Sequence, residues 1–157
     1  NWMAEHLKVG DTVTISEASG DCLYAPGKPE QNILLIGTGS GLAPLYGIVR
    51  DALHNGHRGA IHLYHGCALA DGLYMDEALR DLTRAHPNFN YFPCVSRDEA
   101  PTGARRGRAL DIVLNDLPDL TGWRVFLCGH PGMVKSGTQK TFLAGASMSE
   151  IHADPFT

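Results

Sequence analysis

The chain has 157 residues, 43% of them hydrophobic and 19% charged, with a formal net charge of −4 at pH 7. That length suits one globular domain able to bury a core of its own, and the acidic balance excludes a general attraction for nucleic acid or an anionic membrane. The four cysteines, Cys22, Cys67, Cys94 and Cys128, stand too far apart for a C-x-x-C zinc or iron-sulfur signature, so no metal site is expected and reduced thiols in the cytoplasm are the simplest reading.

The chain starts Asn1-Trp2, with neither a methionine nor the charged and apolar regions of a signal peptide. No apolar stretch reaches the roughly 20 residues that cross a bilayer, and the whole is expected to be a piece of a longer polypeptide. Residues 7 to 16, LKVGDTVTIS, alternate apolar and polar after a Gly-Asp turn and predict a short antiparallel strand. Residues 17 to 31 hold two glycines and two prolines without periodicity and read as a linker or surface loop.

From residue 32 the pattern changes to strict alternation of short apolar runs with helix-period segments. Strands are expected at Ile33 to Ile36, Ala60 to Tyr64, Phe89 to Val95 and Arg124 to Leu127. Helices are expected at Pro44 to Asn55, Asp71 to Ala85 with Asp71 as its N-cap, Ala109 to Asn115 and Pro131 to Ala144. Such alternation predicts an α/β three-layer sandwich, a mostly parallel sheet covered by helices on both faces.

In that architecture a ligand sits past the carboxyl ends of the strands, where a loop enters a helix N-terminus. The stretch GTGSGLAP, residues 37 to 44, stands there. Gly37, Gly39 and Gly41 let backbone N–H groups approach an anion, the helix dipole favours negative charge, and Pro44 suits a first helical position. Phosphate binding is the leading chemical reading, although a glycine turn that only relieves strand–helix packing is the plain alternative. Three common motifs fail. A P-loop needs a lysine the loop lacks, the dinucleotide fingerprint needs glycine at Leu42 and an acidic residue near Tyr64-His65, and a hydrolase elbow around Ser40 needs glycines at Thr38 and Leu42.

Two further stretches narrow the choice: VFLCGHPGMV, residues 125 to 134, and YFPCVSRDEAPTGARRGRALDIV, residues 91 to 113. Together with GTGSGLAP they resemble the nicotinamide-binding half of the ferredoxin-NADP reductase-like flavoprotein family, over about residues 32 to 157. The resemblance implies a five-stranded sheet, counting EIHADPFT as the last strand, and divides the chain into an NAD(P)H-binding domain at 32–157 and, at 1–31, the end of a flavin-binding barrel with its exit linker. It implies an oxidoreductase that passes hydride from NADPH or NADH to FAD and electrons on to an iron-sulfur or haem protein, the flavin motif itself being absent from this chain.

By the same resemblance Gly37, Thr38, Gly39, Ser40 and Gly41 face the pyrophosphate and nicotinamide ribose, Cys128 and Gly129 border the nicotinamide, Met133 shapes the pocket and Phe156 covers the flavin ring. His130 departs from the family pattern, in which proline is commonest there. Ser96 and Arg97 close the third strand where the adenosine ribose is met. An arginine there can bond a 2′-phosphate, Arg105, Arg106 and Arg108 can add to it, and a solvated basic loop is the alternative. The role open to Cys128 is packing against the ring, since hydride transfer needs orientation and dryness rather than a thiol. His62 and His65 have no metal-like spacing and read as core or solvent residues. Two other function classes stay open: a non-catalytic module of the same fold, and a serine hydrolase on Ser40.

Overall fold

The computed structural model describes residues 2–17 and 20–156. Asn1, Ala18, Ser19 and Thr157, which fall within the expected 1–31 and 32–157 divisions, lie outside the described residues. Helix α1 (Trp2–Glu5) opens the chain, followed by β1 (Ile33–Thr38), α2 (Leu42–His54), β2 (Ile61–Cys67), α3 (Asp76–Ala85), β3 (Phe89–Val95), β4 (Arg105–Arg106), α4 (Ala109–Asp116), β5 (Arg124–Gly129), α5 (Pro131–Leu143) and β6 (Ile151–Pro155). The six strands form one sheet in the order β4-β3-β2-β1-β5-β6, every neighbouring pair parallel. The sixth strand is the two-residue β4, too short to leave a period in the sequence, and it extends the expected five.

β1 is central because it is apolar on both faces. Ile33 and Leu35 enter one core with Leu45, Ile48, Val49 and Ala52 of α2 and Leu79 of α3. Leu34 and Ile36 enter the other with Ala109, Ile112 and Val113 of α4 and Val134 of α5. Each such side chain contributes roughly 1.5–3 kcal/mol on full burial. The three-to-four spacing of these positions along α2 gives that helix one buried stripe.

Two local expectations are corrected. Residues 7 to 16 form no strand; Val9, Val13 and Ile15 are exposed, and without a partner an alternating stretch can neither pair its backbone nor bury a face. The helix expected from Asp71 starts at Asp76 instead. Asp71 lies in a single 3-10 turn, Ala70–Gly72, and Met75 breaks the two apart by taking a left-handed conformation at φ 60°.

Residues 21–28 are tied to the far edge of the sheet. Both carboxylate oxygens of Asp154 on β6 accept backbone N–H groups, from Asp21 at 2.8 Å and Cys22 at 2.9 Å. Glu150 accepts from Lys28 and from Arg124 Nε (3.0 Å), and Arg124 Nη1 donates to the Ala25 carbonyl at 3.0 Å. No helix among the described residues is long and apolar enough to cross a membrane.

Candidate functional site

The chain leaves β1 toward β2 on one side, and β5 returns on the other, so the loops after β1 and β5 diverge at the centre of the sheet. Parallel sheets bind ligands at such a reversal, and a cavity of about 950 Å3 opens there. Thr38, Gly39 and Ser40 line it from the β1 loop, and Gly129, His130, Gly132 and Met133 from the β5 loop. Gly66, Cys67 and Ala68 line it from the end of β2, Ser96 and Arg97 from the end of β3, and Phe156 at the C-terminal rim.

The two central loops are locked together. A Cβ on Gly41 would lie 2.3 Å from the Cys128 carbonyl oxygen, so only glycine permits the backbones to pass this closely. The His130 N–H donates to Thr38 Oγ1 at 3.0 Å. The His130 ring then turns back to accept the Gly132 N–H at Nδ1 (3.1 Å), which caps the start of α5. A histidine thus takes the place of the usual small capping residue. The C-terminus is held across the same loop, the Phe156 N–H donating to the Gly129 carbonyl at 2.8 Å and leaving that side chain 38% exposed.

The rest of the lining carries an excess of cations. Arg97, Arg108 and Lys140 line the cavity against a single lining carboxylate, Asp111, which pairs with Lys140 at 3.1 Å. Ser96 and Arg97 are positioned by the main chain: their N–H groups donate to the carbonyls of Cys67 (3.1 Å) and Ala68 (2.9 Å), and Ser96 Oγ donates to Cys67 at 3.2 Å. Arg108 precedes α4 in an extended conformation, so the start of that helix faces the same space.

Not every expected residue reaches the cavity. Arg105 forks onto both carboxylate oxygens of Asp116, which also accepts the Tyr64 hydroxyl at 2.9 Å, and the pair holds the edge strand β4 to α4. The Arg105 guanidinium keeps the Asp116 carboxyl below the usual carboxylate range. Gly37 and Gly41 shape the loop from behind, and Pro44 is the third residue of α2 rather than its first, still among the positions whose N–H has no partner within the helix. Cys128 is fully buried, in the core that also holds Cys22. Contact with the Cys128 thiol, followed by burial, pushes the Cys22 thiol upward. The part of Cys128 that meets the glycine loop is its backbone, because residues of β5 alternate between the two faces of the sheet.

Other lining residues gave no sequence signal. Cys67 ends β2, half-buried, its thiol donating to the Leu69 carbonyl at 2.9 Å. Lys140 lies on the far turns of α5, and only the crossing of α4 and α5 brings it to Asp111. Of the two histidines read as core or solvent, His62 sits between the rings of Phe92 and Trp123, and His65 is fully buried. Ser40 makes no hydrogen bond to a histidine among the described residues, so it lacks the base that an activated nucleophile requires.

Comparison with known proteins agrees with this geometry. Residues 35–139 match the family model described as oxidoreductase NAD-binding domain. The chain is 37% identical, over 99% of its length, to the ferredoxin--NAD(P)(+) reductase component of the naphthalene 1,2-dioxygenase/salicylate 5-hydroxylase systems of a Ralstonia species, covering 47% of that protein. It is 34% identical, over 99% of its length, to the corresponding naphthalene 1,2-dioxygenase component of Pseudomonas putida, again 47% of that protein. The crystal structure of the Amycolatopsis cytochrome P450 reductase GcoB superposes with a TM-score of 0.90 at 34% identity, over 99% of this chain and 47% of that one. The chain therefore spans about half the length of the curated relatives it matches. With its glycine loop at the reversal point of a parallel sheet, the chain belongs to the oxidoreductase NAD-binding domain family.

Proposed function

We propose that this chain is the NAD(P)H-binding half of a flavin-dependent reductase that works in the cytoplasm and delivers electrons to an iron-sulfur or haem protein. The observation that carries the reading is the joining of the β1 and β5 loops around one cavity whose lining carries more cations than carboxylates. The donor set fits a dinucleotide. The exposed loop backbone at Gly39 and Ser40 suits a pyrophosphate, while Arg97, Arg108 and Lys140 give the cavity a charge excess suited to the 2′-phosphate of NADPH.

When bound, the nicotinamide nucleotide supplies a hydride. The protein's part would be to orient the ring and keep water away: the Gly129 backbone and Met133 line the space that would receive it, Cys128 supports the glycine loop from behind, and Phe156 stands at the rim where a flavin would be met. Residues 1–31 are then the end of the flavin-binding barrel and its linker, joined to residues 32–157 through Asp154. The relatives are named as ferredoxin--NAD(P)(+) reductase components of dioxygenase systems and as a cytochrome P450 reductase, which suggests the partner class. Equilibrium titration of the chain with NADPH and NADH tests the proposal. Saturable binding with NADPH preferred is the expected result, and failure of both to bind at millimolar concentration would overturn it.

A further inference from the structure

The loop that suits a phosphate is held at Thr38 and Gly41, but between them no side-chain packing supports Gly39. Gly39 has φ +55°, and a Cβ there would meet nothing within 4 Å, so neither sterics nor packing fixes its backbone. Its carbonyl is nevertheless doubly bonded. It accepts the Leu42 N–H, and it accepts the hydroxyl of Tyr74 at 2.9 Å from a segment 35 residues further along the chain.

Tyr74 is itself well anchored. Its ring stands edge-on to His65, centroids 5.3 Å apart and planes at 80°, and His65 Nδ1 lies 3.3 Å from the Tyr91 hydroxyl. The next residue, Met75, is the one non-glycine residue with positive φ among those described, and it turns the chain into α3, where Asp76 accepts from Arg80 Nε at 2.7 Å. A strained residue held by its surroundings is a place to look for function. Burial pushes His65 down to about 4, so its ring is neutral at ordinary pH and the contact does not depend on charge. Burial also pushes the Tyr74 phenol up, keeping it a donor.

We infer that Tyr74 is a positioning residue for the nucleotide, holding the Gly39–Ser40 peptide in the orientation that presents the Ser40 N–H to a phosphate oxygen. The peptide is planar and trans, so fixing its C=O toward Tyr74 fixes its N–H on the opposite side. Gly39 and Ser40 both line the cavity. Without the hydroxyl the carbonyl keeps only the Leu42 N–H, the peptide is free to tilt further, and an anion would have to order it on binding. The inference rests on the reading of the cavity as a nicotinamide-nucleotide site.

The test is Tyr74→Phe in the 157-residue chain, which keeps the ring against His65 and deletes only the donor. NADPH, NADH and adenosine 2′-monophosphate are titrated against both proteins; the last has no pyrophosphate and probes only the Arg97 and Arg108 side. Loss of one hydrogen bond predicts roughly 3- to 10-fold weaker binding of NADPH and NADH, unchanged binding of adenosine 2′-monophosphate, a melting temperature lowered by no more than about 5 °C and faster hydrogen exchange at the Ser40 amide. Equal affinity of the two proteins for NADPH and NADH overturns the inference and leaves the nucleotide reading standing. A parallel loss for adenosine 2′-monophosphate also overturns it, since the effect would then be general. If the unsubstituted chain binds none of the three, the nucleotide reading falls and the inference with it.

Discussion

Gly41 and the carbonyl of Cys128 lie so close that a Cβ on the glycine would sit 2.3 Å from the oxygen and 2.6 Å from the Gly129 nitrogen. The neighbours are backbone at the end of a buried strand, so neither can swing aside. Gly41→Ala is expected to push β5 away from the glycine loop, lower stability by about 1–3 kcal/mol or more, and abolish nucleotide binding. Urea unfolding and NADPH titration check the two parts.

The arginines divide by location. Arg97→Ala and Arg108→Ala should each weaken NADPH about 10- to 100-fold, the effect of losing a charge-assisted bond, while NADH changes little. Arg105→Ala should leave both nucleotides unaffected and lower stability by no more than about 1 kcal/mol, since the Arg105–Asp116 pair is partly exposed and outside the cavity. Calorimetric titration of the three variants with both nucleotides separates the two groups. Equal losses for NADPH and NADH at Arg97 would remove it from 2′-phosphate recognition.

Cys67 offers a footprint of occupancy. It lines the cavity half-buried, whereas Cys22, Cys94 and Cys128 are buried, and burial pushes both Cys67 and Cys94 up, the latter to about 12. A maleimide should label Cys67 first and slowly, and saturating NADPH should slow it further. Peptide mass mapping reads the site. Labelling that ignores NADPH would mean that the nucleotide does not reach the end of β2.

Stability should fall as the solution is acidified, in two stages. Burial holds His57, His62, His65 and His152 below the ordinary histidine value of 6.5, His65 at about 4. The unfolded chain therefore takes up protons first, and stability present above pH 6.5 is lost as pH falls through about 4. Glu150 follows. Hydrogen bonds from Lys28 and Arg124 bring it from an ordinary 4.5 to about 2, so its contribution is complete above pH 4.5 and disappears as pH falls through about 2. Denaturant unfolding from pH 7 to pH 2 should show both stages, and Glu150→Gln should reduce the lower one, to which the depressed Asp116 and Asp154 also contribute.

Much of the fold was readable because its strands are short apolar runs and its helices carry a stripe. Ile33 to Ile36 announce a strand buried on both faces, and GTGSGLAP announces its exit into a helix. What misled the reading was local pattern without a partner. Residues 7 to 16 alternate as a strand should, yet nothing among the described residues pairs with them. Asp71 has the chemistry of an N-cap, but Met75 interrupts the chain before α3 begins. The two-residue β4 exists only because β3 is there to pair with it.

The sequence by itself determined the alternation of strand and helix, the glycine loop at the first junction and the Cys128-Gly129 turn at the last, because each depends on residues adjacent along the chain. Tertiary structure decided which charged and polar groups share the cavity. It brought Lys140 to Asp111, drew Arg105 away to Asp116, turned the Cys128 thiol into the core and set the Tyr74 hydroxyl on Gly39. Those outcomes depend on strand order and helix crossing, which bring together residues tens of positions apart and leave no period in the sequence.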